Sequence, residues 1–113
     1  MTKEISKPWG SELILEHNDK YVVKKLFVKA GHRLSLQYHE KKHETMYILE
    51  GEIELTLGDL ANQLETKKLS INDFVILPPG KIHRVKANLD SWILEASTPE
   101  LTDVVRLQDD YNR

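Results

Sequence analysis

The sequence contains no cysteine. Disulfides, thiolate metal sites and cysteine nucleophiles are thereby excluded, and the lack accords with a reducing compartment. No apolar run approaches the roughly 20 residues that span a bilayer. The stretch from Met1 to Trp9 carries Lys3, Glu4 and Lys7 and has no apolar signal core. A cytoplasmic protein with no membrane partner is expected. Neither sign of charge dominates: the formal net charge is -2, so nothing points to nucleic acid. Low-complexity tracts, linkers rich in Gly, Ser or Pro, and charge blocks are all missing. What remains is a chain of 113 residues, enough for one domain over 1–113 with one core.

The dominant period is two. Residues 11–17 hold Leu13, Ile14 and Leu15 and end at the turn signal His17-Asn18-Asp19-Lys20. Residues 21–29 are rich in β-branched and aromatic side chains, which favour a strand. From Arg33 to His39 the pattern alternates, placing Arg33, Ser35, Gln37 and His39 on one face and Leu34, Leu36 and Tyr38 on the other. Further strands are predicted at 45–50, 52–57, 63–69, 74–77, 81–87 and 91–96, with turns at Gly58-Asp59, Asn72-Asp73 and Pro78-Pro79-Gly80. Short strands at regular spacing indicate an all-β sandwich or barrel. The tail reads two ways. Ser97 and Glu100 form a capping pair around Pro99, but Val104-Val105 weakens a helix, leaving a short helix or an extended tail.

Polar residues stand where a barrel should be apolar. Gln37 and His39, two apart on one strand, leave the same face. Glu44 follows a polar loop and can return to that region, and His83 sits on a later strand. Imidazole nitrogens with amide and carboxylate oxygens suit one borderline divalent ion: zinc, manganese, cobalt, nickel or ferrous iron. Glu44 is read as a ligand, with a general base as the other option. His17 and His32 read as surface or structural groups, and His43 as a stray neighbour of Glu44.

The run Gly31-His32-Arg33-Leu34-Ser35-Leu36-Gln37-Tyr38-His39, followed by Glu44 and Gly51, resembles the first cupin motif. Pro78-Pro79-Gly80-Lys81-Ile82-His83 resembles the second. Gln37 in place of the usual first histidine is similar to the Leu-Ser-Leu-Gln-x-His segment of type II phosphomannose isomerases. Lys7-Pro8-Trp9-Gly10 resembles the opening of that family's C-terminal cupin domain, and residues 103–113 resemble its Asp-x-Val-Arg-x-Glu-Asp-x-Tyr-Gly-Arg ending. The resemblance implies a double-stranded β-helix, or jelly roll, with Gln37, His39, Glu44 and His83 as metal ligands. Lys42 stands where the family has an arginine near substrate, and the two are not equivalent for gripping a phosphate. Asn112 replaces the closing glycine, and Asn72 replaces the glycine that opens the second motif.

The resemblance further implies an aldose–ketose isomerase of a phosphorylated sugar, by analogy mannose 6-phosphate. The metal would polarise the sugar oxygens. Glu44, Lys42 and Arg33 are the catalytic candidates. Arg33, Ser35, Lys42, Lys81, Arg106 and Arg113 are the substrate-binding ones, although each cation singly reads as well as a solvated surface group. Relatives often carry a nucleotidyltransferase domain, and here sugar-nucleotide synthesis is expected to need a separate protein. Two alternatives stand beside the isomerase: a non-catalytic module binding a sugar or sugar nucleotide, and another cupin metalloenzyme such as a dioxygenase. A homodimer is expected, with residues 11–17 as an exchange strand.

Overall fold

The computed structural model describes residues 3–111, and every regular element in it is a strand. In chain order these are β1 (Lys3–Lys7), β2 (Gly10–His17), β3 (Val22–Val28), β4 (Leu36–Tyr38), β5 (Glu44–Glu50) and β6 (Glu52–Leu60). Then follow β7 (Gln63–Ser70), β8 (Phe74–Leu77), β9 (Ile82–Ala87), β10 (Ser91–Ser97) and β11 (Val105–Gln108). They form two antiparallel sheets, ordered β1-β2-β3-β10-β5-β8 and β11-β4-β9-β6-β7. This is the cupin jelly roll that the resemblance implied, within the all-β sandwich or barrel that the spacing of strands and turns indicated.

Alternation buries one face of each strand. The inward rows change character along their length. On β3 they run Lys24, Leu26, Val28; on β5, Glu44, Met46, Ile48; on β9, His83, Val85, Ala87, all buried. On β10 the row reads Glu95, Ile93, Ser91 in the same direction, since Glu95 pairs with Lys24 and Ser91 with Val28. One end of the barrel is therefore an apolar plug, in which Trp9, Ile48, Ile53, Leu55 and Ile93 pack together. Each such burial contributes about 1.5–3 kcal/mol. The other end is lined with charge, and the plug's stability offsets the cost of burying it.

Gly51 joins β5 to β6 at φ 94°, and a Cβ there would lie 2.5 Å from the Asp90 carbonyl oxygen. Asn72 takes the same left-handed region at φ 73°, as expected for a substitute for glycine.

Two expectations are corrected. The strand expected over 33–39 is shorter. Arg33 bridges Lys86 and Gln37 pairs with His83, so four steps on one side face three on the other. The extra residue between Arg33 and Gln37 is a β-bulge that flips the alternation. Leu34 thus enters the core cluster, and Arg33 does not share the face of Gln37. Of the two readings of the tail, the extended one is found: β11 pairs along the open edge of β4, where Val104-Val105 prefers extended backbone. The turn expected at Gly58-Asp59 falls instead at residues 61–62, because β6 continues through a bulge to Leu60. Within the single chain β2 is hydrogen-bonded to β1 on one side and to β3 on the other.

Candidate metal centre

Three strands bring the site together at the polar end of the barrel. Gln37 on β4 faces His83 on β9 in direct register. His39 follows β4, and Glu44 opens β5 from the facing sheet. Glu44 Oε1 lies 3.2 Å from His39 Nε2 and 3.2 Å from His83 Nε2. The histidines and Glu44 are all buried, and their ligand atoms lie within 4.8 Å of one another.

The far side of each ring sets its tautomer. His83 Nδ1 donates to the Lys81 carbonyl at 2.9 Å, and His39 Nδ1 donates to the Asp103 carbonyl. Both Nε2 lone pairs then point inward. His39 Nε2 and Glu44 Oε1 have no hydrogen-bond partner among the described residues. Acceptors that converge in a buried place without a donor are costly; a cation removes the cost. Two imidazole nitrogens and a carboxylate oxygen suit a borderline divalent ion, so the residues fit the group that the family implies. In its absence a proton competes for the same lone pairs: burial lowers the His39 pKa, but Glu44 outweighs it and raises it overall. Burial likewise pushes the Glu44 carboxyl up, yet His39, His83 and Lys42 outweigh it and hold Glu44 well below the usual range.

Gln37 Oε1 accepts from Ser35 Oγ at 2.7 Å, while its Nε2 lies 3.5 Å from His83 Nε2. For the oxygen to reach an ion the amide turns over. The Ser35 hydroxyl can then accept from Nε2, because a hydroxyl both donates and accepts.

A ladder of alternating charge leads away from the site across the inner face. Lys42 Nζ lies 3.2 Å from Glu44 Oε2 and 3.0 Å from Glu95 Oε1; Lys24 lies 3.7 Å from Glu95 and 2.6 Å from Glu12; Lys7 lies 3.3 Å from Glu12. Burial and then the nearby Glu44 push the Glu95 carboxyl up to about 7, against Lys24 and Lys42. These side chains, with Gln37, His39 and Arg106, line a cavity of about 110 Å³.

The expected cations scatter. Lys42 is buried in the cavity rather than solvated, and Arg106 is exposed at its wall. Arg33 is tied outside it to Asp110 at 2.6 and 2.9 Å. Lys81 pairs with Asp59 at 2.7 Å, and His43 is exposed. Arg113 and Asn112 lie outside the described residues. Sequence reasoning missed Lys7, Glu12 and Glu95. The signal for Glu95 was present: it sits two residues from Ile93, on the parity that must face inward.

The profile of the family described as mannose-6-phosphate isomerase C-terminal matches residues 1–109. The chain belongs to this family. Among the family's relatives, the mannose-1-phosphate guanylyltransferase ManC of Salmonella typhimurium is 31 % identical over 118 residues, covering 100 % of this chain and 24 % of its own. The xanthan biosynthesis protein XanB of Xanthomonas campestris is 30 % identical over 98 % of this chain and 24 % of its own. The chain thus spans about a quarter of the length of these curated relatives. Its fold is shared with KdgF from Halomonas, at a TM-score of 0.77 and 20 % identity over 91 % of this chain and 89 % of that one.

Proposed function

We propose that this cupin holds one divalent cation through Gln37, His39, Glu44 and His83, and serves as a binding module for a phosphorylated sugar or sugar nucleotide. The convergence of unpartnered acceptors on one buried point carries the reading. Solved cupins of the same fold include Bacillus subtilis oxalate decarboxylase, described with Mn(II) centres. Here the donor set suits zinc, manganese, cobalt, nickel or ferrous iron alike. A bound cation would supply Lewis acidity toward sugar oxygens.

The cavity's charge supports an anionic ligand. Lys7, Lys24, Lys42 and Arg106 face Glu12, Glu44 and Glu95, and a dication would leave a clear positive excess. Its size supports a small one: about 110 Å³ falls well below the roughly 300–1,000 Å³ of pockets for larger ligands. The sugar end of a sugar nucleotide fits, with the base left outside. The guanylyltransferase names of the relatives favour a module that works beside nucleotidyl transfer.

A second reading, the isomerase, is favoured by the buried Lys42–Glu95 pair adjoining the site and by the family's description. A base would take the C2 proton as the C1 oxygen gains one. The resulting enediol would return a proton to C1 as the C2 hydroxyl loses its own. Glu95 would be the base, since Glu44 is committed to the cation and the two carboxylates hold Lys42 as its ammonium.

Elemental analysis of the purified chain, followed by calorimetry with mannose 6-phosphate, mannose 1-phosphate and the guanosine-diphosphate sugar, tests both. Metal-dependent binding without turnover in a coupled isomerisation assay fits the module. Turnover that disappears on chelation fits the isomerase. A chain without stoichiometric metal overturns both readings.

A further inference from the structure

Asp103 contributes no ligand atom, yet it touches the centre at two points. Its main-chain carbonyl accepts from His39 Nδ1. Its carboxylate accepts the backbone N–H groups of Glu40 at 3.1 Å, Lys41 at 2.7 Å and Lys42 at 2.9 Å. Those residues belong to the loop that joins His39 to Glu44, and Lys42 sends its ammonium back to Glu44. Thr98, on the same segment, closes the loop's other end. Its N–H donates to the His43 carbonyl at 3.0 Å, and its hydroxyl accepts from the His43 N–H at 3.0 Å. One stretch of chain therefore holds both the ring of His39 and the loop leading to Glu44.

We infer that Asp103 is a positioning residue that presets His39 and Glu44 for the cation. The inference rests on the metal reading above. A loop of this length, left unclamped, samples many conformers, and ordering it at the moment of binding subtracts from affinity. With the carboxylate in place, that ordering belongs to folding. The carbonyl acts on the ring itself: a fixed acceptor at Nδ1 keeps the Nε2 lone pair aimed at the ion.

Cobalt(II) binding by the full chain tests this, read by calorimetry and by the visible spectrum. Loss of an outer partner of a metal ligand typically weakens binding by about 10–100-fold, and D103A should fall in that range with an altered spectrum. The control is D73A. Asp73 clamps another loop in the same manner, accepting the Ser70 N–H at 2.8 Å in the β7–β8 turn. It should bind cobalt as the wild type does. Hydrogen exchange on the unmodified chain gives a second readout that no folding defect can confuse. The amides of Glu40, Lys41 and Lys42 should exchange more slowly once cobalt is bound, and that of Ser70 should not. Unchanged affinity in D103A, equal weakening in both variants, or exchange at 40–42 indifferent to cobalt overturns the role of Asp103 alone. A wild-type chain that takes up no cobalt overturns the centre itself, and this role with it.

Discussion

Gln37 and His83 stand opposite each other across β4 and β9, with their Nε2 atoms 3.5 Å apart. In this arrangement the amide closes over the lone pair of the imidazole, and Glu44 faces the same point from the other sheet. A barrel interior is ordinarily filled with apolar side chains. Here both sheets contribute polar atoms to one spot, which is why substitutions at this end and at the apolar end should have different consequences.

His83→Ala and His39→Ala should each abolish stoichiometric metal retention while leaving a folded β protein. Each removes one nitrogen from a small ligand set but leaves the apolar plug untouched. Metal content by elemental analysis, beside far-ultraviolet circular dichroism, checks this. Full occupancy in either variant would contradict the ligand assignment.

Lys24→Met should destabilise the fold by about 3–5 kcal/mol, because removing one partner strands a buried charge. Lys24 sits between Glu12 and Glu95 with its side chain only 9 % exposed, so water cannot take its place. Urea unfolding at neutral pH measures the loss. A change under 1 kcal/mol would mean that the ladder is energetically slack.

Glu12 makes the pH dependence legible. Burial pushes its carboxyl up, but Lys24 and then Lys7 outweigh it and hold it below its ordinary value of 4.5. Its ionised form therefore stabilises the fold above that value, and the contribution is lost as pH falls through the lower, folded-state value. Glu12→Gln should cost about 1.5–3 kcal/mol at neutral pH, with the deficit shrinking below pH 4.5. Paired melting curves across that range decide it; a deficit constant with pH would refute the assignment.

Gly51→Ala and Gly80→Ala should separate strain from collision. Both glycines have positive φ, 94° and 85°, but only at Gly51 would a Cβ strike backbone, that of Asp90 and Ser91. Gly80→Ala should cost about 1–2 kcal/mol, and Gly51→Ala distinctly more, in thermal or urea unfolding. Equal costs would show that the β5–β6 turn shifts freely.

The outer face of the six-stranded sheet bears on the expected homodimer. Leu13, Lys25, Leu94, Tyr47 and Phe74 form one row across neighbouring strands, and Phe74 is 58 % exposed. If two copies cover this face, Phe74→Lys combined with Leu94→Glu should halve the mass found by light scattering. A wild-type chain of monomer mass would refute the dimer.

The sequence by itself determined an all-β sandwich or barrel, which the motif resemblance narrowed to the jelly roll, and it singled out four polar residues at the polar end. Period-two runs with turns between them leave few other folds, and Gln37, His39, Glu44 and His83 stand out because they are polar on barrel-facing strands. The tertiary structure decided what Arg33, Lys42 and Glu95 do. One extra residue between Arg33 and Gln37 reverses the parity that had placed Arg33 beside Gln37, and a bulge is a property of two strands in register rather than of either alone. Lys42 and Glu95 are buried because each meets a partner from a distant part of the chain: Lys42 and Lys24 both close on Glu95. A buried charge is tolerable only beside its opposite, and that pairing exists only once the barrel has closed.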